Sequence, residues 1–269
     1  MNFIKVTNLR EYIFYGLFWF VFIFTSVFMI MLIVGLFLFG EWPTFLEVIK
    51  NPEFQFAVIF TLWTTILATI LSALVAVPCG YILSRYNFPG KVIIDTILDV
   101  PLVLPPLVSG VALLIFFGPL FGKTLTGLGL DIIFSAKGVV IAQWFIAAPF
   151  AIKTFKHAFD SIDTRLEKVA RTLGYSPEKV FIKVTIPLAK NGLLGGLTMT
   201  WARALGEFGA TAMLAGVTRL KTETLSVAIY LNMSIGDTQF ALVTAIIMLF
   251  VALALLAAFK IFTRVEVHL

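Results

Sequence analysis

Four stretches of this chain run for more than twenty residues without an Asp, Glu, Lys or Arg: Tyr12–Gly40, Phe54–Ser84, Val100–Gly122 and Thr238–Phe259. A helix that crosses the hydrocarbon core of a bilayer takes about 20 apolar residues, so each stretch predicts one crossing. Two weaker segments lie between them. Gly138–Ile152 is shorter, but it extends toward Lys153 and Lys156, whose aliphatic stems can snorkel to the interface. Asn191–Thr218 is apolar apart from Arg203 and Glu207. The pattern predicts six spans and an all-α integral membrane protein.

The polar punctuation between spans is short. Residues 41–53 (EWPTFLEVIKNPE) form a connection with an acidic excess, and SRYNFPGK (84–91) makes a tight turn built on Pro89-Gly90. The third span contains DVPLVLPPLVSG (99–110), whose three prolines remove backbone donors and must kink or unwind the helix. Freed carbonyls in lipid need other partners. This segment therefore faces a water-filled path, or else its kink serves packing alone.

One interruption is different in kind. From Thr164 to Ala189 charges of both signs gather around Gly174, Pro177 and Pro187. Thr164 and Glu167 have the spacing of a capping box. Leu166, Val169, Ala170 and Leu173 then recur as one apolar stripe on a short helix. Gly174 is suited to a left-handed stop. Ser176-Pro177 restarts a helix with an N-cap and a proline at its first position, and Val180, Phe181 and Val184 share one of its faces. The prediction is a stiff helix–Gly–helix knob. A basic loop resting on anionic lipid accounts for the charge, but not for the caps at both helices.

Composition agrees with the membrane reading. The chain is 60% hydrophobic and 13% charged, with a mean hydropathy of +1.01, which excludes an ordinary soluble domain. The first apolar run is too long for a signal-peptide core and is expected to be retained. The lone Cys79 cannot make an internal disulfide, and His157 and His268 are far apart, so no metal site is expected. Of the twenty lysines and arginines, fourteen fall on the side shared with the N-terminus, five on the other side, and Arg203 inside a span. By the positive-inside rule both termini, and the knob, face the cytoplasm. The net charge of +5 then reports topology and not nucleic-acid binding.

Candidate chemistry is sparse. GPLFGKT (118–124) resembles a phosphate loop, but only three residues separate its glycines where four are needed, and it falls on the outer side. No Ser/His/Asp or Cys/His set suggests a nucleophile, so the chain is not expected to be an enzyme. Arg203 and Glu207 are four apart and costly in lipid, so both should face protein. An internal ion pair is favoured over an Arg203 that greets a passing anion, because Glu207 would cancel the attraction. Gly206 and Gly209, with Ala202 and Ala210, allow a close helix approach, either within the chain or between two copies around a pore.

The knob resembles the cytoplasmic signature of permease subunits of binding-protein-dependent ABC importers: E-A-A, three residues, Gly, nine residues, then I-x-L-P. Lys168-Val169-Ala170 occupies the first place, Gly174 follows after three residues, and Val184-Thr185-Ile186-Pro187 after nine more. Ala170, Gly174 and Pro187 match, whereas Lys168 and Val169 depart, with Glu167 one position early. WARALGEFGATAMLAG (201–216), SRYNFPGK, PLVLPPLVSG and TETLSVAIY (222–230) resemble the molybdate, tungstate and sulfate branch of that family.

The resemblance implies a type I importer permease with six helices, in which residues 1–53 carry the first span and outer loop, 54–262 the transport domain with its coupling region at 160–187, and 263–269 a tail. It implies a homodimer, two cytoplasmic ABC ATPase subunits that hydrolyse the ATP, an extracytoplasmic oxyanion-binding protein, and no cofactor in this chain. It makes Leu166, Glu167, Ala170, Arg171, Gly174, Val180 and Phe181 the coupling residues, and Pro105, Pro106, Arg203, Glu207 and Gly209 the pathway or gate residues. Molybdate or tungstate is expected ahead of sulfate. The rival from another class is an ion-coupled secondary transporter, which calls for inverted repeats and a proton or sodium site. Here the sequence offers one intramembrane acid, Glu207, and no matching half.

Overall fold

The structure, a computed structural model, describes residues 9–265. Lys5, His268 and residues 266–269 of the expected tail lie outside the described residues, as do the side chains of Arg10, Lys260 and Arg264. The described chain is helical throughout: α1 (Leu9–Phe39), α2 (Trp42–Lys50), α3 (Pro52–Arg85), α4 (Lys91–Val103), α5 (Pro106–Ile115), α6 (Gly122–Gly127), α7 (Ala136–Asp160), α8 (Thr164–Thr172), α9 (Pro177–Val180), α10 (Ile186–Leu205), α11 (Gly209–Ala215), α12 (Leu225–Ser234) and α13 (Thr238–Val265). Wide π turns continue α5 through Phe116–Leu120 and join α9 to α10 through Phe181–Thr185.

Four helices follow the expected spans closely: α1, α3, α7 and α13. The third span begins earlier than expected, at Lys91, and breaks as its prolines require: its axis turns by 112° between α4 and α5, at Leu104-Pro105, where two successive prolines supply no amide donor. The fifth span is interrupted. Its helix begins already at Pro177, inside the charged stretch, and runs to Leu205, then breaks at Gly206–Phe208 before α11, so the single helix expected over Asn191–Thr218 is not formed. The connection at 41–53 is also more regular than expected, since Pro43 and Pro52 each open a helix in its first turn.

α7 is the axle of the molecule. It packs against α3 at small residues of α3: Ala68 lies with Val140 and Ala147, Ala76 with Ala151, Ile152 and Phe155, and Gly80 against Phe155 and Lys156, while Ala57 and Thr61 further along the same buried side meet α12. A methyl on Gly80 would sit 2.9 Å from the Lys156 amide nitrogen, so a side chain there would force the two helices apart. The buried hydroxyls cost little because each donates to a carbonyl one turn back: Thr61 to Ala57 at 2.6 Å, Thr65 to Thr61 at 2.7 Å and Ser72 to Ala68 at 2.7 Å. α10 packs against both α7 and α3; a methyl on Gly192 would meet Ala158 Cβ at 2.6 Å and one on Gly196 would meet Thr154 Oγ1 at 2.5 Å. The Trp201 indole donates to Thr65 Oγ1 at 3.1 Å and ties α10 to α3. In contrast, α1 buries none of its most apolar window and meets its own chain mainly at its end, where Phe37 touches Phe250 of α13.

Candidate functional site

The knob is present, but one of its caps differs from the expectation. Asp163, and not Thr164, is the N-cap of α8, its carboxylate accepting from the Arg165 amide at 2.9 Å. Glu167 does not reach back to complete a capping box, because a stronger donor holds it. The Arg85 guanidinium at the end of α3 donates to both Glu167 oxygens at 3.0–3.2 Å, and the Thr185 hydroxyl donates to Oε1 at 2.8 Å. The two ionic side chains are only 8% and 12% exposed. Removing one partner of such a pair costs about 3 kcal/mol, since the other stays buried and charged. Glu167 therefore bolts the end of α3, the helix α8 and the start of α10 into one body.

The stop at Gly174 follows the expectation. Its φ is +87°; the Tyr175 amide donates to the Ala170 carbonyl at 3.2 Å and the Gly174 amide to that of Arg171 at 3.1 Å, a Schellman closure. Arg171 adds a bond from Nη1 to the Tyr175 carbonyl at 2.6 Å and sets its charge at the helix C-terminus, where the dipole favours a cation. Ser176 caps α9 from its hydroxyl, accepting from the Lys179 amide. That hydroxyl and its own backbone amide also hold the exposed Glu178 below the usual carboxylate range.

The predicted stripe is divided between two faces. Ala170 and Val180 are buried, and Phe181 stands edge-on to Tyr81 of α3 at 4.9 Å. Leu166, Val169 and Leu173 point outward and are 48%, 56% and 74% exposed. Of the seven candidate coupling residues, then, Ala170, Val180, Phe181 and Glu167 anchor the knob, Gly174 and Arg171 shape its turn, and Leu166 alone presents an apolar surface. Val169 and Leu173 share that surface and belong with it.

The five candidate pathway residues gather around two helix breaks. Pro105 and Pro106 open α5, and a methyl on Gly209 would sit 3.0 Å from Pro106 Cβ and 3.1 Å from the Leu107 amide nitrogen, so the α5 break is seated on the start of α11. Glu207, 1% exposed, stitches the break between α10 and α11: Oε2 accepts from Arg203 Nη1 at 3.0 Å and Oε1 from the Ala210 amide at 2.8 Å. The cation lies at the last turn of α10 and the acid just ahead of α11, accepting from an amide of that helix's first turn, each at the helix end its charge suits. Gly206 makes no close contact with another helix, the nearest atom to an added methyl being the Ala202 carbonyl at 3.7 Å, so of the small residues expected to allow a close approach Gly209 and Ala210 do so, against Pro106 and Gly110 of α5, and Gly206 does not. Gly192 and Gly196 make the same kind of close approach between α10 and α7.

Two clusters were not anticipated. Near the C-terminal end of α7, Lys153 pairs with Asp95 at 2.9 Å and Asp99 at 2.8 Å, and Lys156 reaches Asp95 at 3.6 Å, joining α4 to α7. At the opposite end of the bundle Arg219 pairs with Glu53 at 2.5 Å and contacts Asn232. Among the described residues no group of three His, Cys, Asp or Glu side chains could hold a metal.

Residues 76–265 match the family described as binding-protein-dependent transport system inner membrane component. A probable molybdenum ABC transporter permease protein of Haloferax volcanii is 44% identical over 186 residues, covering 68% of this chain and 67% of that protein. A sulfate transport system permease protein of Escherichia coli is 31% identical over 225 residues, covering 83% and 80%. The crystal structure of a bacterial alginate ABC transporter, in complex with its alginate-bound periplasmic protein, matches over 95% of both chains with a TM-score of 0.76 at 16% identity, a likeness of fold.

Proposed function

The chain belongs to the family of binding-protein-dependent transport system inner membrane components, and from that premise we propose that it is the permease of an ATP-driven importer for a tetrahedral oxyanion, molybdate or tungstate ahead of sulfate. It forms the path across the membrane and is not itself an enzyme; a separate ATPase supplies the work. The observation that carries this reading is the knob of α8 and α9, bolted at Glu167 to Arg85 and Thr185 and presenting Leu166, Val169 and Leu173 to the outside. Such a body moves as a lever. A push on α8 reaches α3 through Arg85 and α10 through Thr185, and α10 leads to the Glu207 stitch and the Pro106–Gly209 seat.

In this reading the knob and both termini lie in the cytoplasm, an extracytoplasmic binding protein delivers the anion, and the transport domain covers residues 54–262. The functional unit is a homodimer with two ATPase subunits. The exposed α1 supports it: a helix that buries so little against its own bundle is available to a second copy. Pro105, Pro106, Arg203, Glu207 and Gly209 act as the gate, with the Arg203–Glu207 pair holding its shape and not binding the anion. The sulfate relative keeps sulfate as the second substrate reading.

The test is reconstitution. Proteoliposomes holding this chain, its copurifying ATPase and the matching binding protein should accumulate molybdate on addition of ATP, and sulfate far less well. Uptake without an ATPase, driven by a proton or sodium gradient, would overturn the importer reading; faster uptake of sulfate would overturn the choice of anion.

A further inference from the structure

Among the described residues, Arg165 and Lys168 on the outer face of α8 meet no acidic side chain of their own chain, while the charge of Arg171 bears on Glu178 of α9. At 100° per residue its exposed arc has two halves. Val169, Leu173 and Leu166 form one, and Arg165, Lys168 and Arg171 form the other, all three cations exposed. Arg165 and Lys168, and Lys168 and Arg171, stand three apart, a like-charge spacing that destabilises a helix. The acid within the helix, Glu167, is turned inward and spent on Arg85. Asp163 at the N-cap is spent on the Arg165 amide. Glu178 faces solvent on α9, where Lys179 and Lys183 are exposed as well.

We infer that this face is built for an acidic groove: the ATPase subunit that receives α8 sets one or more carboxylates against Arg165 and Lys168, beside an apolar floor for Leu166, Val169 and Leu173. The inference rests on the importer reading and deepens it. Lys168 is its centre, a cation where the family signature has its Glu. Between α8 and the end of α3 a cleft of about 470 Å³ opens, lined by three cations, Arg85, Lys168 and Arg171, against one acid, Glu167, which Arg85 already pairs. It has room for an acidic side chain inserted from a partner. An anionic membrane surface attracts the same cations, but a diffuse surface potential needs no fixed geometry. The bolt at Glu167 supplies fixed geometry, which a shaped protein groove uses.

The experiment measures binding of the copurifying ATPase to this chain in nanodiscs of neutral lipid, at 50 and 300 mM salt. For the native chain, Kd should rise at least fivefold with salt, because rim charges are screened. Arg165→Glu with Lys168→Glu should weaken binding at least tenfold at low salt and abolish most of the salt dependence, with Arg165→Gln and Lys168→Gln falling between. Amide exchange in α8 at native rates verifies that these surface variants keep the helix. Unchanged or tighter binding by the double reversal would overturn the inference. So would native binding indifferent to salt, or a double reversal whose sole loss is adhesion to anionic vesicles. A native chain that binds no ATPase at any salt would overturn the importer reading itself, and this inference with it.

Discussion

Replacing Glu167 with Ala removes the bolt without touching the α3–α7–α10 core. The variant leaves the Arg85 guanidinium, 8% exposed, without its anion, and Thr185 without its acceptor. Three donor contacts from Arg85 at 3.0–3.2 Å and one from Thr185 at 2.8 Å are lost together. About 3 kcal/mol for an opened buried pair corresponds to local opening of α8 roughly 150-fold more often at about 1.4 kcal/mol per decade. Hydrogen exchange resolves this directly. Amides of residues 166–175 should exchange about two orders of magnitude faster, while those of α7 stay at native rates because its packing seam is intact. In the reconstituted system ATP hydrolysis should continue while anion uptake per ATP falls. Exchange in α8 within threefold of native, with uptake per ATP preserved, would refute the lever.

Gly174→Ala places a Cβ at φ +87° and should cost about 1–2 kcal/mol, seen as faster exchange confined to residues 170–176, whereas Gly195→Ala, with open space around it, should gain or lose less than ~1 kcal/mol. Gly196→Leu drives a side chain into Thr154 and Phe155 and should lower the apparent Tm of the solubilised protein by several degrees, through about 1–3 kcal/mol of overpacking; Gly195→Leu is the matched control. Glu207→Ala frees Arg203 and uncaps α11, so uptake should fall at least tenfold while ATPase binding, measured in nanodiscs, stays native. Trp201→Phe loses the bond to Thr65 at 3.1 Å and should cost about 1 kcal/mol in thermal denaturation, with transport retained.

The long apolar runs were legible because a bilayer asks one simple thing of a sequence, some twenty residues without charge. They placed α1, α3, α7 and α13 well. They placed the apolar part of the fifth span but not the start of its helix, since Lys179, Lys183 and Lys190 suggested a solvated loop where the helix had already begun at Pro177; their long stems let a helix run through the interface while the charges stay wet. The break at Gly206 was hidden by Arg203 and Glu207, whose i, i+4 spacing fits an unbroken helix equally well. Around the knob, Gly174 and Ser176-Pro177 were readable because a left-handed stop and a capped restart depend on local residues alone. Glu167 was not. Its spacing from Thr164 suits a capping box, and the competing donor, Arg85, is 82 residues away. Periodicity likewise placed Leu166, Val169, Ala170 and Leu173 on one helical side, but could not tell that the body of the protein covers only Ala170.

The central claim is that a separate ATPase pushes on the outward face of α8. A photoreactive amino acid at Leu173, 74% exposed, tests it most directly, with one at Val92, an apolar site 78% exposed at the start of α4, as the comparison. On irradiation of the assembled transporter, Leu173 should crosslink to the ATPase in a yield that changes with bound nucleotide, and Val92 should not. Crosslinks from Leu173 to lipid alone, in the same yield with and without nucleotide, would contradict the account.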